Sequence, residues 1–419
     1  MHERREAEHP VIYIDPAPAR PPFSAPLVPR YLPAHSAFAF PTSTLDLRLS
    51  TPPVTRHLYV HIPFCPKVCP YCSFYKEASD RNKTQPFLDA VLRELEMRCA
   101  EGCELQPHTI FFGGGTPSAL TVRQMEYLLG GLRDRLDLSE LVEWTLEMNP
   151  ATVSLEKAQL LRQLGVNRVS LGVQAWDAPT LETLGRVHTA DQARRSYALL
   201  REAGFDNINL DHIFGVPGQS REAWVDTLRQ TLALRPDHIS AYNLTYEEDT
   251  EFMRKFQSGE FTQDADADAD LFEQTADLLA AAGFEPYETS NFAKPRRRCV
   301  HNLAYWRAQD YLGLGPSAFS TIGERRWSNV RDTAAYTQRI LEGEFPADFH
   351  EPVSPALRRT ESIAFGLRTS DGIERSWLQP WGERVEELTS LGLIATLDER
   401  VILTRRGRLL ADSVAGEFI

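Results

Sequence analysis

Cysteine is scarce in this sequence, and long apolar runs are missing from it. Six cysteines in 419 residues are far too few for a disulfide-stabilised scaffold. No stretch approaches the roughly 20 consecutive apolar residues that a membrane-spanning helix needs, and no apolar region of the secretory type follows the start. We therefore expect a cytoplasmic protein with no transmembrane segment.

Positive charge is in deficit as well. The 45 Lys and Arg residues are outnumbered by 58 Asp and Glu residues, which gives a net charge of −13. Binding along a phosphate backbone needs clustered cationic side chains, so we expect no nucleic-acid partner. The hydrophobic share of 42% and the charged share of 25% are those of an ordinary globular protein. The length predicts about two to three domains.

Proline is abundant only at the start of the chain. Residues 1–55 hold eleven of the 28 prolines, in runs such as Pro16-Ala17-Pro18. Because proline fixes φ and removes a hydrogen-bond donor, we expect residues 1–55 to form an extended N-terminal extension that carries no chemistry.

Short β-rich runs alternate with helical patterns between residues 56 and 290. The predicted strands are 57–62, 109–112, 142–148, 168–173, 207–214 and 238–244. Helical patterns between them are predicted near 85–99, 122–136, 155–164 and 221–233. This alternation predicts an α/β fold built from βαβ units around a parallel sheet. Six units are too few for a closed barrel of eight, so a partial barrel and a doubly wound sheet both fit the pattern. In either fold, ligands bind at the carboxyl ends of the strands.

The last part of the chain, residues 346–419, has few polar motifs. Helical spacing at Ile363, Leu367 and Leu388, followed by a strand-like run at 400–404, predicts a small helical, winged-helix-like domain with a two-stranded wing. Winged-helix domains often bind DNA, but in this acidic chain we expect a structural role.

Three of the six cysteines, Cys65, Cys69 and Cys72, crowd together directly after the first predicted strand. One explanation is a structural zinc site, whose fourth ligand comes from His61 or a distant cysteine. The other is a 4Fe-4S cluster that keeps one iron open, because electron-transfer clusters are usually held by four thiolates. An open iron implies that a small molecule binds to it.

The cysteine spacing, in the context Tyr59-Val60-His61-Ile62-Pro63-Phe64-Cys65, resembles the radical S-adenosylmethionine (SAM) superfamily. Within it, the context resembles the branch of the oxygen-independent coproporphyrinogen III oxidases. The resemblance implies a partial (β/α)6 TIM-type barrel over residues 56–290, with a 4Fe-4S cluster on Cys65, Cys69 and Cys72. It further implies SAM as a second cofactor, and a low-potential electron donor as a partner. Members of the superfamily cleave SAM to a 5'-deoxyadenosyl radical.

Further polar and glycine-rich segments follow the predicted strands. Glycines let a backbone approach a ligand closely, the planar guanidinium of arginine suits a carboxylate, and acidic side chains suit an amine or ribose hydroxyls. The resemblance assigns SAM contacts to Tyr59, Tyr71, Gly114, Gly115, Thr116, Glu147, Gln174, Arg186, Asp211 and Thr245. It assigns no catalytic residue beyond the ligands of the cluster.

A second motif, Cys299-Val300-His301-Asn302-Leu303-Ala304-Tyr305-Trp306, resembles the heme chaperones of the HemW family. Imidazole is a common axial ligand of heme iron, and aromatic rings offer flat surfaces for a porphyrin. The resemblance implies a heme-motif segment, 291–345, packed on the barrel. Its predicted heme contacts are His301, Asn302, Tyr305 and Trp306, with Cys299 as an alternative iron ligand. Arginines 296–298 are either partners for propionates or a solvated basic turn.

Single positions separate the chaperones from the oxidases. The oxidases carry a fourth cysteine two residues after the third, where this chain has Phe74. Ser73 and Phe319 depart from the chaperone pattern, which has Asp and His there. We therefore expect a heme chaperone that hands heme to apoproteins, with SAM cleavage left open. The alternatives are oxygen-independent coproporphyrinogen III oxidation and another radical SAM reaction on a porphyrin.

Overall fold

The computed structural model describes residues 54–419, so nearly all of the predicted N-terminal extension lies outside the described residues. The strands are β1 (Thr55–Ile62), β2 (Phe64–Cys65), β3 (Glu77–Ala78), β4 (Leu105–Gly114), β5 (Glu143–Met148), β6 (Arg168–Gln174), β7 (Ile208–Phe214), β8 (His238–Asn243), β9 (Glu285–Pro286), β10 (Asn291–Ala293), β11 (Leu312–Leu314), β12 (Phe319–Ile322), β13 (Arg325–Asn329), β14 (Ala347–Pro352), β15 (Ile373–Glu374), β16 (Ile394–Leu397) and β17 (Arg400–Leu403).

The helices begin and end close to the predicted positions wherever the apolar spacing is strong. They are α1 (Arg81–Ala100), α2 (Val122–Arg133), α3 (Leu155–Leu164), α4 (Ala178–Thr183), α5 (Ala190–Glu202), α6 (Arg221–Ala233), α7 (Glu251–Gln257), α8 (Ala265–Ala281), α9 (Val300–Trp306), α10 (Thr333–Leu341), α11 (Pro355–Leu367), α12 (Gly382–Ser390), α13 (Arg405–Leu409) and α14 (Ala411–Gly416). Short 3-10 turns cover Pro117–Ala119, Pro150–Thr152 and Arg375–Trp381. No helix of residues 54–419 combines the length and apolarity that crossing a bilayer needs.

The six predicted strands are neighbours in one sheet, in chain order and parallel. The full order is β11-β1-β4-β5-β6-β7-β8-β10-β9, with β11 parallel to β1 and β10 antiparallel to β8. Strands β11 and β9 form its two edges. The prediction of an open α/β barrel with six βα units is confirmed, and the sheet is longer than predicted at both edges.

The two faces of the sheet differ in polarity because side chains alternate along each strand. On β1, Leu58, Val60 and Ile62 are fully buried in the main apolar core, which the helices cover. The alternate residues His57 and Tyr59 point to the opposite, concave face. The predicted site lies on this concave face, toward the carboxyl ends of the strands.

The segment after the barrel is anchored by a fully buried carboxylate, Glu94 of α1. It accepts hydrogen bonds from the backbone N–H of Gly315 at 3.0 Å, the Asn329 amide at 2.8 Å and the Tyr336 hydroxyl at 2.7 Å. Arg98 forms an ion pair with it at 3.3 Å. These bonds tie β11, β13 and α10 to α1, because leaving any of the buried groups unpaired costs free energy.

The C-terminal residues form a small core of their own from α11, α12, α14 and a sheet. The predicted two-stranded wing is present as the antiparallel pair of β16 and β17, and the sheet has a third strand that was not predicted, in the order β15-β17-β16. The missed strand, Ile373–Glu374, has only two residues, which is too short to show a period-2 pattern. Arg405 pairs with Asp277 at 2.7 Å and with Glu273 at 3.0 Å, which links this part to α8.

Candidate functional site

The loop that carries Cys65, Cys69 and Cys72, called the cysteine loop here, follows the carboxyl end of β1. Cys65 ends β2 and is paired with Ala78 of β3, while Cys69 and Cys72 lie on the loop between these strands. The Thr116 hydroxyl donates to the sulfur of Cys65 at 3.4 Å, and Arg186 Nη1 donates to the sulfur of Cys69 at 3.5 Å. The loop is therefore held from β4 on one side and from the segment after β6 on the other.

Burial raises the pKa of the thiols of Cys65 and Cys72. Cys69 raises the pKa of both thiols further, and Cys65 also raises that of Cys72. A thiol with a raised pKa is protonated at neutral pH without a metal. Binding of an iron–sulfur cluster here must therefore release protons.

The zinc alternative required His61 or a distant cysteine as a fourth ligand. The Nε2–H of His61 donates to the carbonyl of Tyr75 at 2.9 Å, and its Nδ1 accepts from the Tyr59 hydroxyl at 3.0 Å. Burial lowers the pKa of His61 to about 4. The distant cysteine, Cys299, is fully buried at the start of α9. Within residues 54–419, no three His, Cys, Asp or Glu side chains lie close enough together to hold one metal ion, and this includes the three cysteines of the loop.

The glycine segment, Gly113 to Gly115, lies at the end of β4 and contacts the chain that leads into the cysteine loop. Gly114 has φ of +103°, and a Cβ there would lie 2.5 Å from Cε1 of His61, so only glycine fits this position. The next two N–H groups donate to the carbonyls of Ile62 and Phe64, at 2.8 and 2.9 Å. At Gly113 a Cβ would come within 3.2 Å of Glu147 Oε2 and of the Tyr59 ring.

Two carboxylates lie near this segment, Glu147 close to the end of β5 and Asp211 in the middle of β7. Burial raises the pKa of Glu147 to about 8, with a further contribution from Asp211, while a hydrogen bond from the Gly114 N–H opposes the shift. Burial also raises the pKa of Asp211, against hydrogen bonds from Ser170 at 2.9 Å and Asn209 at 2.7 Å. A cationic ligand would relieve both shifts, as the amine and sulfonium groups of SAM would.

Gln174 and Arg186 stand at the end of β6. Gln174 has φ of +69° at an irregularity in the β6–β7 pairing, a strained conformation typical of functional positions. Arg186 Nη2 donates to the carbonyl of Gly172 at 3.0 Å. Its Nε is buried with no hydrogen-bond partner among the described residues. An unpaired buried guanidinium nitrogen beside a cysteine of the loop fits a carboxylate ligand.

The remaining predicted SAM contacts are Tyr71 and Thr245. Tyr71, on the cysteine loop, packs against Phe252 of α7 with ring centroids 6.0 Å apart. Thr245 follows β8 and donates to Glu247 at 3.2 Å. The structure thus brings Tyr59, the glycine segment and Glu147 together. It brings Tyr71 and Arg186 to Cys69, and it places Thr245 between Leu244 and Tyr246, two members of the apolar cluster on which Tyr71 packs.

The heme motif forms α9, whose first residues are buried against the barrel. Glu143 of β5 accepts from the N–H groups of Val300 at 2.9 Å and His301 at 3.1 Å, which satisfies the start of the helix. The thiol of Cys299 donates to the same carboxylate at 3.4 Å, and burial raises the pKa of that thiol. Cys299 is therefore a buried thiol held within the protein.

Both ring nitrogens of His301 are engaged in a chain of hydrogen bonds. His57 Nε2 pairs with Oε1 of Gln309 at 2.9 Å, so His57 Nδ1 accepts from Thr109 at 2.8 Å. Thr109 then accepts from His301 Nδ1 at 2.7 Å, and His301 Nε2 accepts from Tyr305 at 3.0 Å. Burial lowers the pKa of His301 well below its ordinary value. The imidazole is neutral, 1% exposed, and bonded at both nitrogens.

Sequence reasoning missed Phe111, which joins the two predicted sites. Its ring stacks on Tyr59, with centroids 6.3 Å apart, and on His301, with centroids 5.1 Å apart. Phe111 shares the concave face of β4 with Thr109 and Gly113, so strand alternation could have identified it. The sequence also did not indicate Arg168, whose buried guanidinium lies on the same face near Glu143 and Asp211.

The heme-motif residues do not all face one way. His301 and Tyr305 point into the barrel, while Trp306 packs edge-on against Phe365 of α11 at 6.3 Å and stays half-buried. Asn302 donates its N–H to the thiol of Cys299. Of the upstream arginines, Arg297 pairs with Asp206 at 3.3 Å and Arg298 pairs with Asp371 at 3.2 Å.

Comparison with known proteins agrees with this geometry. Residues 59–231 match the family model of the radical SAM superfamily. The chain is 35% identical over 373 residues to the heme chaperone HemW of Bacillus subtilis strain 168, across 86% of this chain and 98% of that protein. It is 41% identical over 272 residues to the heme chaperone HemW of Escherichia coli strain K12, across 65% and 71%.

Among solved structures, the chain is similar to coproporphyrinogen III oxidase (HemN) from Escherichia coli, a radical SAM enzyme. The TM-score is 0.77 at 25% sequence identity, and the match covers 88% of this chain and 91% of that one. The shared fold therefore extends well beyond the 59–231 segment, into the helices and sheets that follow the barrel.

Proposed function

This chain belongs to the HemW family of heme chaperones within the radical SAM superfamily, and we propose from that premise that it binds heme and passes it to apoproteins. The observation that carries the proposal is the match to the Bacillus subtilis heme chaperone, which spans 98% of that protein. A shared radical SAM domain alone would leave the function open, because one fold supports many reactions.

The cofactors proposed with this function are a 4Fe-4S cluster, SAM and heme. Cys65, Cys69 and Cys72 would hold the cluster, and Arg186, with its unpaired buried Nε, would bind the carboxylate of SAM. Glu147 and Asp211 would face its cationic groups. When bound and reduced, such a cluster supplies the electron that cleaves SAM to a radical. That electron requires a low-potential donor protein as a partner.

The main alternative is oxygen-independent coproporphyrinogen III oxidation, the activity of the solved relative with the same fold. Position 74 argues against it. Phe74 stands where those oxidases carry a fourth cysteine, and its side chain is 50% exposed. This side of the cysteine loop therefore presents an aromatic ring to solvent where a thiol stands in the oxidases.

The test is an anaerobic incubation of the cluster-loaded chain with SAM, a reductant and coproporphyrinogen III. We expect little or no decarboxylated porphyrin, because the chain is a carrier. A parallel titration with hemin should saturate at one heme per chain. Many turnovers of decarboxylated product, or hemin absorbance that never saturates, would overturn the proposed function. A Cys69→Ala variant, which removes a cluster ligand, shows whether any 5'-deoxyadenosine formed depends on the cluster.

A further inference from the structure

Large apolar side chains are exposed to solvent on the cysteine loop. Val68 and Phe74 are about half exposed, although the neighbouring Cys69 and Cys72 are partly buried. Val68 directly precedes Cys69, and Phe74 follows Cys72 by two residues. A single exposed apolar side chain is ordinary, whereas several at one place are typical of an interaction surface.

The segment after β6 adds a third exposed apolar side chain beside this loop. A Cβ at Gly185 would lie 2.6 Å from Cδ of Pro70, and Arg186 donates to the sulfur of Cys69 at 3.5 Å. The next residue, Val187, is exposed. Of the ten large apolar side chains exposed within residues 54–419, three therefore lie on or next to one loop.

The same part of the chain carries an excess of positive charge. Residues 66–83 hold four cationic and two acidic side chains, in a chain whose net charge is −13. Both acidic side chains are engaged. Glu77 pairs with Lys83 at 3.4 Å, and Asp80 accepts from the N–H of Asn82 at 2.9 Å.

The other three cations of this segment have no such partners. Lys67 and Arg81 are exposed and have no carboxylate partner among residues 54–419. Lys76 donates to the carbonyls of Cys72 and Phe74, which fixes its ammonium group without neutralising it. This part of the loop therefore attracts an acidic partner.

The part of the loop that contacts α7 has the opposite charge. The N–H of Phe252 donates to the carbonyl of Pro70 at 3.3 Å, and four of the five residues 247–251 are acidic. An acidic protein would be repelled by these residues. The charges around the loop therefore favour approach over the cationic part.

A surface of this kind, beside the proposed cluster, fits an electron donor. Electron transfer between proteins weakens steeply with the distance between the two redox groups, so a donor has to dock beside the cysteines. An apolar centre with a charged surround is also the usual form of a small, transient protein interface.

We propose that Lys67, Val68, Phe74, Arg81 and Val187 form the docking surface for a small acidic electron-carrier protein. In the docked complex, one electron passes from the reduced carrier to the oxidised cluster, the carrier is oxidised by one electron, and no atom is transferred. This inference rests on the proposed function, because it requires the cluster, and it adds the surface through which the cluster is reduced.

The experiment follows electron transfer in its downhill direction, because the same surface serves both directions. The full cluster-loaded chain is reduced with dithionite, freed of excess reductant by gel filtration and mixed anaerobically with oxidised flavodoxin, an acidic carrier. Reoxidation of the cluster is followed by its absorbance. We expect the rate constant to fall as salt is added, because salt screens opposite charges. Oxidised riboflavin, a neutral acceptor that needs no docking surface, is the reference.

Three variants alter the surface. Lys67→Glu and Arg81→Glu should each lower the rate constant with flavodoxin about tenfold at low salt, and Phe74→Ser should lower it about fivefold. None of the three should change the rate with riboflavin. Arg81 is the first residue of α1, where an acidic side chain stabilises a helix. Slower transfer in Arg81→Glu therefore cannot come from damage to the fold.

The matched controls lie in the C-terminal part of the chain. Arg375→Glu reverses an exposed charge, and Leu397→Ser replaces an apolar side chain that is 62% exposed. Both should reduce flavodoxin as fast as the unmodified chain does. If Lys67→Glu also slows the reaction with riboflavin, the variant has disturbed the cluster and Arg81→Glu decides the question.

Two results would overturn the docking surface and leave the proposed function standing. One is a rate constant with flavodoxin that neither Arg81→Glu nor Phe74→Ser changes, and the other is reoxidation by riboflavin but not by flavodoxin. The hemin titration needs no carrier, so it tests the proposed function separately. A chain that takes up no iron and sulfide would instead overturn the cluster on which both proposals rest.

Discussion

At the scale of single residues, the site combines acidic side chains that are partly protonated with histidines that are kept neutral. Glu147 illustrates the first group, because burial and Asp211 raise its pKa to about 8. His301 illustrates the second, because burial lowers its pKa and two hydrogen bonds fix its tautomer. Both effects depend on the burial of these side chains on the concave face of the sheet.

Glu147 should make the cofactor-free chain less stable as pH rises. In the unfolded chain its carboxyl ionises near pH 4.5, and in the folded chain near pH 8. Stabilisation by the protonated form is therefore complete below the unfolded pKa and is lost as pH rises from about 4.5 to 8. In urea unfolding, the unmodified chain should therefore lose stability relative to Glu147→Gln as pH rises over this window, by a few kcal/mol on the order-of-magnitude scale of such shifts.

The control for this experiment is Glu126→Gln, which changes an exposed carboxyl on α2. Its unfolding free energy should follow that of the unmodified chain at every pH. Parallel pH curves for the unmodified chain and Glu147→Gln would contradict the assignment of a buried, protonated carboxyl at this strand end.

His301 should contribute to stability because it is packed and bonded inside the barrel. His301→Ala removes a ring stacked on Phe111 and leaves Thr109 and Tyr305 without a partner. We expect a loss of roughly 2–4 kcal/mol in the free energy of unfolding, measured by chemical denaturation. The exposed His350→Ala should change it by less than about 0.5 kcal/mol. Unchanged stability of His301→Ala with loss of the Soret shift would instead make the imidazole a heme ligand.

At the scale of elements, the end of β4 fixes the position of the cysteine loop. The N–H groups of Gly115 and Thr116 bind carbonyls of Ile62 and Phe64, and Gly114 leaves room for the ring of His61. His61 in turn donates to the carbonyl of Tyr75 on the loop. The glycine segment therefore supports the loop as well as facing the cofactor.

Gly114→Ala should disturb this support. The new Cβ would lie 2.5 Å from the His61 ring at a φ of +103°, so we expect a loss of more than about 1 kcal/mol and poorer incorporation of iron and sulfide. Gly130→Ala is the matched control, because nothing lies within 4 Å of its Cβ and alanine favours the α2 helix by about 0.5–1 kcal/mol. Equal stability and cluster content in both variants would contradict the role of Gly114.

Elements with a long apolar period could be predicted from the sequence, and short or non-local ones could not. Helix α3, Leu155–Leu164, and helix α6, Arg221–Ala233, have the predicted bounds. Strand β11 has three residues and pairs with β1, about 250 residues earlier in the chain. Three residues are too few to show the alternation of a strand, and they do not indicate a partner so far away. Strand β15 has two residues and was missed for the same reason.

The candidate site was predictable where polar residues stand within the parallel strands. Glu147 is the last residue but one of β5 and Asp211 lies in the middle of β7, and the parallel pairing through β6 brings them near each other. The two faces of α9 were not predictable, because the seven-residue helix does not reveal which side meets the barrel. That His301 is buried and Trp306 packs outside the barrel depends on contacts with β4 and α11, far away in the chain.

At the scale of the whole molecule, many buried histidines should make the cofactor-free chain sensitive to acid. Burial lowers the pKa of each below its ordinary value of 6.5. They are His57, His61, His188, His212, His238 and His301. The unfolded chain binds protons at these six sites below pH 6.5, whereas the folded chain does not, so stability falls as pH decreases from about 6.5.

Carboxyls with raised pKa act in the opposite direction in this range, because the folded chain keeps their protons. They are Glu147, Asp211, Asp268 and Glu288. The six histidines outnumber these four carboxyls, so unfolding takes up protons and the urea unfolding free energy should drop between about pH 6.5 and 5. A flat profile over this interval would show that the histidines are accessible to protons in the folded chain.

One aromatic ring links the two predicted sites of the molecule. Phe111 contacts Tyr59, beside the glycine segment, and His301, near the start of α9. The concave face of the sheet and the heme-motif helix are therefore packed together through this ring.

The most direct test of the account is transfer of heme from this chain. The cluster-loaded chain is saturated with hemin, freed of excess by gel filtration and mixed with apomyoglobin as a spectroscopic acceptor. We predict that about one heme per chain survives gel filtration and then moves to the acceptor, with the Soret band of myoglobin appearing as that of the chain disappears. A chain that leaves gel filtration without heme, or that never releases the heme it holds, would contradict its function as a heme carrier.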